Sequence, residues 1–198
     1  MSFAFTFPGQ GSQTVGMGHD LAERFAEARE VFAEVDDALG QKLSEVMWNG
    51  PSDELTLTAN AQPALMAVSL ATMRVAEARG LDLKASVAYV AGHSLGEYSA
   101  LAAAGALSVG DAARLLRIRG TAMQQAVPVG EGAMAALLGL DFETAAEVAA
   151  EAAGDQVCQA ANDNAPGQVV VSGHKAAVER AIEIAKGRGA KRGLLLPV

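Results

Sequence analysis

The chain lacks the residue patterns of several large protein classes. Its 198 residues include one cysteine, Cys158, which excludes an internal disulfide and suits a reducing compartment. No apolar run is long enough for a membrane-spanning helix, and no group of Cys and His residues has the spacing of metal ligands. The net charge of −8 argues against nucleic-acid binding. We therefore expect a cytoplasmic protein with no metal centre and with no nucleic-acid or membrane partner.

The most informative segment that is present is the pentapeptide at residues 92–96, Gly-His-Ser-Leu-Gly. An apolar run at 87–91 leads into it, and a helical pattern at 99–104 follows it. This order of strand, sharp turn and helix is the context in which Gly-x-Ser-x-Gly indicates an exposed nucleophilic serine. Ser94 is then expected at a helix N-terminus, where free N–H groups favour a developing oxyanion. A purely structural glycine turn is the alternative interpretation.

The first part of the chain is predicted to be mainly helical. A strand is expected at 3–7, an amphipathic helix at 20–39 that ends at Gly40, and a buried helix at 64–79 with Pro63 in its first turn. With the strand at 87–91, only two clear strands are predicted. Because apolar helices need a sheet to cover them, this part is expected to belong to a larger sheet.

The pattern changes after residues 128–132, which form the expected domain boundary. Strands are predicted at 133–138, 157–161, 169–172 and from 193 onward, with helices at 142–153 and 176–186 and a turn at 162–167. The resulting order, β-α-β-β-α-β, is that of the ferredoxin-like unit. The overall fold class is therefore predicted to be α/β, with a second, smaller domain.

Arg119 stands out on the helix that Ser108 and Asp111 are predicted to start. At about 100° per residue it projects near the middle of an apolar stripe, which contains Ala112, Leu115, Leu116, Ala122, Met123 and Ala126. The opposite, solvent-facing side is predicted to contain Arg114, Arg117, Thr121, Gln124 and Gln125. A guanidinium stays charged at ordinary pH and needs an anion there. That anion is either an internal carboxylate or the carboxylate of a ligand held by two parallel hydrogen bonds. A side chain that reaches past the stripe to water is the remaining alternative.

A nucleophilic serine also needs a base, and histidine is the most common one. His93 is adjacent to Ser94 but is poorly oriented to accept its proton, so we expect it to line the pocket. His19 and His174 fit surface or capping positions better than catalytic ones. We assign none of the three as the general base.

Several motifs occur together in an order that carries a family resemblance. They are Phe-Pro-Gly-Gln-Gly-Ser-Gln at 7–13, Gln-Pro-Ala-Leu at 62–65, Gly-His-Ser-Leu-Gly-Glu-Tyr at 92–98, Arg-Gly at 119–120 and Asn-Ala-Pro-Gly-Gln at 164–168. The chain resembles the malonyl-CoA:acyl carrier protein transacylases, which are related to the acyltransferase domains of polyketide and fatty acid synthases. The resemblance extends over the whole chain.

The resemblance implies an α/β-hydrolase-like large subdomain, represented here by residues 1–127, with an inserted ferredoxin-like small subdomain at 128–198. It implies that Ser94 is the acylated nucleophile and that Arg119 pairs with the free carboxylate of the acyl group. Backbone N–H groups of Gln10 and Leu95 would form the oxyanion hole. The implied pocket residues are Gln62, His93 and Asn162.

The implied activity is transfer of a malonyl group from malonyl-CoA to the phosphopantetheine thiol of acyl carrier protein in fatty acid synthesis, with no cofactor. Members of the family are longer, and their catalytic histidine would follow Val198. We therefore expect that the rest of the large subdomain is missing from this chain, and that the chain alone is inactive unless a complementary C-terminal fragment supplies the base. A serine hydrolase or thioesterase and a non-catalytic fragment are the alternatives.

Overall fold

The computed structural model describes residues 3–128 and 130–196, and the chain divides into two compact units, Met1–Gln125 and Ala126–Val198. The first unit contains, in chain order, β1 (Phe3–Phe7), α1 (His19–Arg24), α2 (Ala26–Leu39), α3 (Leu43–Asn49), α4 (Ser52–Thr56), α5 (Thr58–Ala78), α6 (Leu83–Ser86), β2 (Val87–Gly92), α7 (Gly96–Ala103) and α8 (Val109–Ala126). The last residue of α8, Ala126, is assigned to the second unit. Within the described ranges, no helix has the length and apolar character that crossing a bilayer requires.

Helix α5 forms the centre of the first unit. It is apolar on nearly all sides, and residues 60–67 are buried throughout. Its partners in the core include Val31, Phe32 and Val35 of α2 and Leu43 and Met47 of α3. The prediction of a buried helix at 64–79 is confirmed up to Ala71, whereas Thr72, Arg74, Ala78 and Arg79 are exposed. Burial on nearly all sides of the first half explains why its sequence shows little amphipathic pattern.

Strands β1 and β2 pair in parallel, with a register that runs from Phe3 opposite Val87 to Phe7 opposite Gly92. Parallel pairing puts the carboxyl ends of both strands at the same edge of the sheet. The loop after β1 and the turn after β2 therefore emerge side by side, which is where open α/β sheets bind their ligands.

The single helix predicted at 20–39 is wrong, because the structure breaks it at Phe25. Phe25 has an extended backbone (φ −130°, ψ 120°) between α1 and α2, and the Arg79 guanidinium lies 4.1 Å from the centre of its ring. Arg29 Nη1 donates a 2.7 Å hydrogen bond to the carbonyl of Ala22 in the last turns of α1. Since only one residue leaves the helix, the apolar spacing continues across the break and hides it. The predicted end at Gly40 is confirmed, with φ 60°.

Helix α5 begins earlier than predicted, at Thr58, so Pro63 is its sixth residue rather than part of its first turn. The carbonyl of Leu57 accepts 2.8 Å hydrogen bonds from the N–H groups of Asn60 and Ala61. The Thr58 N–H donates to Gln124 Oε1 of α8 at 3.3 Å. The first N–H group of α5 is thus bonded by Gln124, a residue far along the sequence. Local sequence patterns do not reveal such a contact.

The second unit contains β3 (Gly132–Leu138), α9 (Phe142–Ala153), β4 (Cys158–Ala165), β5 (Gln168–His174), α10 (Lys175–Gly187) and β6 (Arg192–Leu196). Its strands pair antiparallel in the order β4-β5-β3-β6, and α9 and α10 supply most of the helical side of its core. The predicted β-α-β-β-α-β order is confirmed. Part of the last predicted strand, 197–198, and Val129 of the predicted boundary lie outside the described residues.

The turn predicted at 162–167 is mostly strand. Strand β4 continues through Ala165, and only residues 166–167 form the turn to β5. The pairing of β4 with β5 is irregular at two places, between Ala160 and Asn162 and between Asp163 and Ala165. Such irregularities accommodate residues with low strand propensity. Asparagine and aspartate have low strand propensity, which is why the run Asn-Asp-Asn indicated a turn in the sequence.

Candidate active site

The turn between β2 and α7 holds Ser94 in a strained and accessible position. Ser94 has φ 55°, and it is the only non-glycine residue with a positive φ within 3–128 and 130–196. Its side chain is exposed. A left-handed backbone costs an L-residue about 1–2 kcal/mol and is kept where the surroundings enforce it, most often at functional sites.

The two glycines of the motif are required by close packing. A methyl group on Gly92 would overlap the backbone of Gly96 in the first turn of α7, and one on Gly96 would overlap the Phe7 carbonyl at the end of β1. These contacts hold β1, β2 and α7 together directly below Ser94. The motif therefore fixes the serine at the carboxyl edge of the sheet.

Two backbone N–H groups close to this turn are candidates for binding an oxyanion. Within the described ranges, no hydrogen bond of the structure uses the N–H of Leu95 or that of Gln10. Leu95 follows the serine, and its side chain is 1% exposed, so its backbone is held firmly. Free N–H groups beside a nucleophile are the donors that stabilise a tetrahedral intermediate.

The loop that carries Gln10 is held against the serine turn. The N–H of His93 donates to the carbonyl of Phe7 at 3.1 Å, and a methyl group on Gly9 would lie 2.6 Å from His93 Nδ1. On its other side, Gln10 Nε2 donates to Thr58 Oγ1 at 3.4 Å. His93 thus forms part of the wall between the two loops.

Arg119 reaches from α8 to the serine. Its Nη2 donates to Ser94 Oγ at 2.9 Å, and its Nη1 donates to Gln62 Oε1 at 2.5 Å. Gln62 is fully buried on α5, and its Nε2 is 3.3 Å from the sulfur of Met123. Within residues 3–128 and 130–196, Arg119 forms no ion pair with a carboxylate. The internal salt bridge considered above is therefore absent from this part of the chain.

The predicted apolar stripe of α8 is only partly correct. Leu115 is 42% and Met123 is 48% exposed, and Ala122 and Ala126 are also exposed. The buried side of the helix is made mainly of small residues: Val109, Gly110, Ala112, Ala113, Leu116 and Gly120. Gly120 lies against the start of α5, where a methyl group would be 2.6 Å from the Thr58 carbonyl oxygen. Because these residues are small, α8 can approach α5 closely through them. The buried face of α8 therefore lies beside the predicted apolar stripe rather than on it.

Arg117 is a residue that the helical pattern misplaced, since it was assigned to the solvent-facing side of α8. In the structure it is half-buried and donates to two side-chain amides, Asn60 Oδ1 at 2.7 Å and Gln41 Oε1 at 2.8 Å. Both amides lie more than 50 residues away in the sequence. A single-helix pattern contains no signal for such partners.

The other candidate residues lie elsewhere. His19 is exposed, with its ring 5.3 Å from that of Trp48. In the second unit, His174 Nδ1 accepts a 3.0 Å hydrogen bond from the Val157 N–H, and Asn162 is half-buried on β4, opposite Val170. The structure therefore brings Ser94 and the other first-unit candidates together, whereas Asn162 belongs to the other unit.

The described ranges contain one group of three potential metal ligands, His19, Asp20 and Glu23 on α1, whose ligand atoms lie within 4.8 Å of one another. All three side chains are exposed. The expectation that the protein has no metal centre stays a prediction.

A family comparison matches almost the whole chain. Residues 4–194 fit the model of the acyl transferase domain. The chain belongs to the acyl transferase domain family. Of the curated acyl transferases, the malonyl CoA-acyl carrier protein transacylase of Escherichia coli (strain K12) is 52% identical over 196 residues, which are 99% of this chain and 62% of the relative.

Solved structures of acyl transferases agree with the fold. An acyl-carrier-protein-S-malonyltransferase from Bartonella henselae has a TM-score of 0.93 at 62% identity, and the match covers 100% of this chain and 63% of that one. A malonyl-transacylase solved in complex with a type II PKS acyl-carrier protein has a TM-score of 0.92 at 47% identity, with the same two coverages. The α/β fold class is confirmed. The chain spans about 62% of the length of the curated relatives it matches.

Proposed function

We propose that the full-length protein is a cytoplasmic enzyme of fatty acid synthesis that transfers a malonyl group from malonyl-CoA to the phosphopantetheine thiol of an acyl carrier protein. The observation that carries this proposal is the 2.9 Å contact between Arg119 Nη2 and Ser94 Oγ. An exposed serine, beside an arginine that pairs with no carboxylate in the described part of the chain, suits an acyl group that carries its own carboxylate. The names of the relatives support the choice of donor and acceptor.

In the first step, Ser94 Oγ forms a bond to the thioester carbonyl carbon. The serine proton passes to a general base, which we assign to the histidine that the resemblance places after Val198. The negative charge on the carbonyl oxygen is stabilised by the N–H groups of Gln10 and Leu95. When the carbonyl re-forms, the carbon–sulfur bond breaks, CoA leaves as the protonated thiol, and a malonyl ester remains on Ser94.

In the second step, the carrier-protein thiol gives up its proton and attacks the ester carbonyl. The carbon–oxygen bond to Ser94 breaks, and the serine recovers a proton. In the first step the serine oxygen replaces the CoA sulfur on the acyl carbon, and in the second step the carrier-protein sulfur replaces the serine oxygen. Neither step is an oxidation or a reduction, so neither needs a redox cofactor.

Arg119 selects and orients the acyl group. Its two terminal nitrogens already donate to neutral acceptors, Ser94 Oγ and Gln62 Oε1. A malonyl carboxylate is a stronger, charged acceptor that a guanidinium binds with two parallel hydrogen bonds. Replacement of Ser94 Oγ by this carboxylate would free the serine oxygen for attack. His93 and Gln62 complete the part of the proposed pocket that the first unit supplies.

The test is product analysis with full-length protein, labelled malonyl-CoA and the thiol form of acyl carrier protein. We expect malonyl-carrier protein to be the main labelled product. Free malonate as the main product would assign the serine to a hydrolase or thioesterase instead. No turnover at all would favour a non-catalytic protein.

A further inference from the structure

We propose that Arg117 is a positioning residue, which fixes the rotation of α8 against α5 so that Arg119 is held between Gln62 and Ser94. This inference rests on the proposed function, because its consequence is selectivity for the malonyl group. Arg117 itself donates hydrogen bonds to Asn60 and Gln41 rather than to Ser94 or Gln62.

Arg117 is held by directional contacts. Its Nη1 donates to Asn60 Oδ1 at 2.7 Å, and its Nη2 donates to Gln41 Oε1 at 2.8 Å. Asn60 is 5% exposed, and its Nδ2 is fixed in turn by the Glu54 carbonyl at 2.8 Å. Burial lowers the pKa of the Arg117 guanidinium from its usual value. The guanidinium is therefore an ordered, partly desolvated group rather than a surface charge.

The two arginines of α8 hold α5 from two sides. Residues two apart on a helix point about 200° apart, so Arg117 and Arg119 leave α8 in nearly opposite directions. Their acceptors on α5, Asn60 and Gln62, are also two residues apart. Between the two pairs, the backbones approach closely at Gly120. The hydrogen bonds of Arg117 and Arg119 therefore lie on opposite sides of the close contact at Gly120, and together they oppose rotation of α8 in either direction.

The partners of Arg117 suit a site that binds an anion. A salt bridge would hold the guanidinium more strongly, but a carboxylate at position 60 would add a negative charge to α5 two residues from Gln62, the partner of Arg119. Because Asn60 and Gln41 are uncharged, they orient Arg117 without adding negative charge. The same reasoning applies to Gln62 as the partner of Arg119.

The test uses full-length protein and the rates at which malonyl-CoA and acetyl-CoA acylate the serine. For Arg117→Met we expect kcat/KM for malonyl transfer to fall about tenfold, because small errors in the placement of a binding group have large effects on rate. Acetyl transfer, which does not use Arg119, should change by less than about threefold on the same principle. Arg114→Met is the matched control and should leave both rates unchanged, because Arg114 is exposed and pairs with Asp111 on the surface.

A second variant covers the case in which Arg117→Met does not fold. Gln41→Met removes one of the two acceptors of Arg117 and keeps the size of the side chain, so the malonyl rate should fall, by less than in Arg117→Met, while the acetyl rate and the Tm are preserved. An equal fall of the malonyl and acetyl rates, or no change in either variant, would overturn the positioning role. If the wild-type protein itself fails to transfer malonyl, the proposed function has failed, and the inference fails with it.

Discussion

The two units of the chain use arginine differently. In the second unit, Arg188 forms ion pairs with Glu147 at 3.4 Å and Glu151 at 2.9 Å, and Arg180 donates to the carbonyl of Ala152 near the negative end of α9. In the first unit, Arg119 donates to an amide and a hydroxyl and pairs with no carboxylate of residues 3–128 and 130–196. Arg180 and Arg188 thus connect helices of the second unit, whereas Arg119 is the cation that we propose binds an external anion.

The backbone shows the same difference. Within the described part of the second unit, the residues with positive φ are all glycines: Gly130, Gly139, Gly154, Gly167 and Gly189. The first unit has Ser94 in such a conformation. The second unit therefore resembles a fold optimised for stability, and the first unit contains strain that a function explains.

The largest expected effect is that of Ser94→Ala, which removes the proposed nucleophile. Malonyl transfer should fall by about 10⁴-fold or more, as losses of a catalytic nucleophile do. Ser94→Gly should be equally inactive but more stable than Ser94→Ala by about 1 kcal/mol, because glycine adopts φ 55° without strain. Transfer assays and thermal unfolding measure the two effects. Equal stability of the two variants would show that the serine backbone is not strained.

The second effect is that of Arg119→Met. Loss of two hydrogen bonds to a charged group should lower kcat/KM for malonyl-CoA by about 10²-fold or more. Acetyl transfer should be retained or improved, because acetyl has no carboxylate. Arg119→Lys keeps the charge but not the paired donors, so its kcat/KM for malonyl-CoA should lie between the values of the wild type and of Arg119→Met. If acetyl transfer fell as far as malonyl transfer, the role of Arg119 in binding the carboxylate would be wrong.

Gly120→Ala should disturb the contact between α8 and α5. The added methyl group would lie 2.6 Å from the Thr58 carbonyl oxygen and 2.7 Å from Ala59 Cα, so the helices must separate. We expect a loss of about 1–3 kcal/mol in the free energy of unfolding, together with a lower preference for malonyl. Gly110→Ala on the same helix is the control, since its methyl group would be 3.4 Å from its nearest neighbour. If Gly120→Ala left the free energy of unfolding unchanged, the contact between α8 and α5 would not be as close as described.

Val171→Ala tests the second unit. Val171 is fully buried in the core of that unit, and truncation should lower the free energy of unfolding by about 2 kcal/mol. The ratio of malonyl to acetyl transfer, measured where the variant stays folded, should not change. A shift in that ratio would show that the second unit helps to select the acyl group and would weaken the contrast between the units.

The smallest effect concerns the Cys158 thiol. Burial raises its pKa, and this outweighs the opposite influence of the positive charge on Arg180. At neutral pH the native thiol should therefore be alkylated by iodoacetamide at less than about a tenth of the rate in urea, because the thiolate is the reactive form. Rapid native alkylation would indicate that the core of the second unit opens readily.

The sequence alone predicts well what depends on local pattern. Strand β3, helix α9 and the serine turn follow from apolar periodicity and from glycines whose spacing the packing requires. The predicted helix 20–39 failed because Phe25 interrupts the helix without interrupting its apolar spacing. The predicted turn at 162–167 failed because cross-strand pairing with β5 overrides the turn preference of asparagine and aspartate.

The candidate site is less accessible to sequence reasoning. Ser94 was identified from its motif, and Arg119 from its position among apolar residues. Arg117 was assigned to solvent, although Asn60 and Gln41 bind it, because helical periodicity describes one helix and contains no information on distant partners. Contacts over long sequence separations therefore mark the limit of this kind of prediction.

The most direct test of the account is to map the covalent intermediate. Full-length protein would be mixed with labelled malonyl-CoA in the absence of carrier protein, quenched in acid, digested and analysed by mass spectrometry. The account predicts one malonyl ester, on Ser94, which disappears when carrier-protein thiol is added before the quench. Label on any other residue, or no covalent label during active turnover, would contradict it.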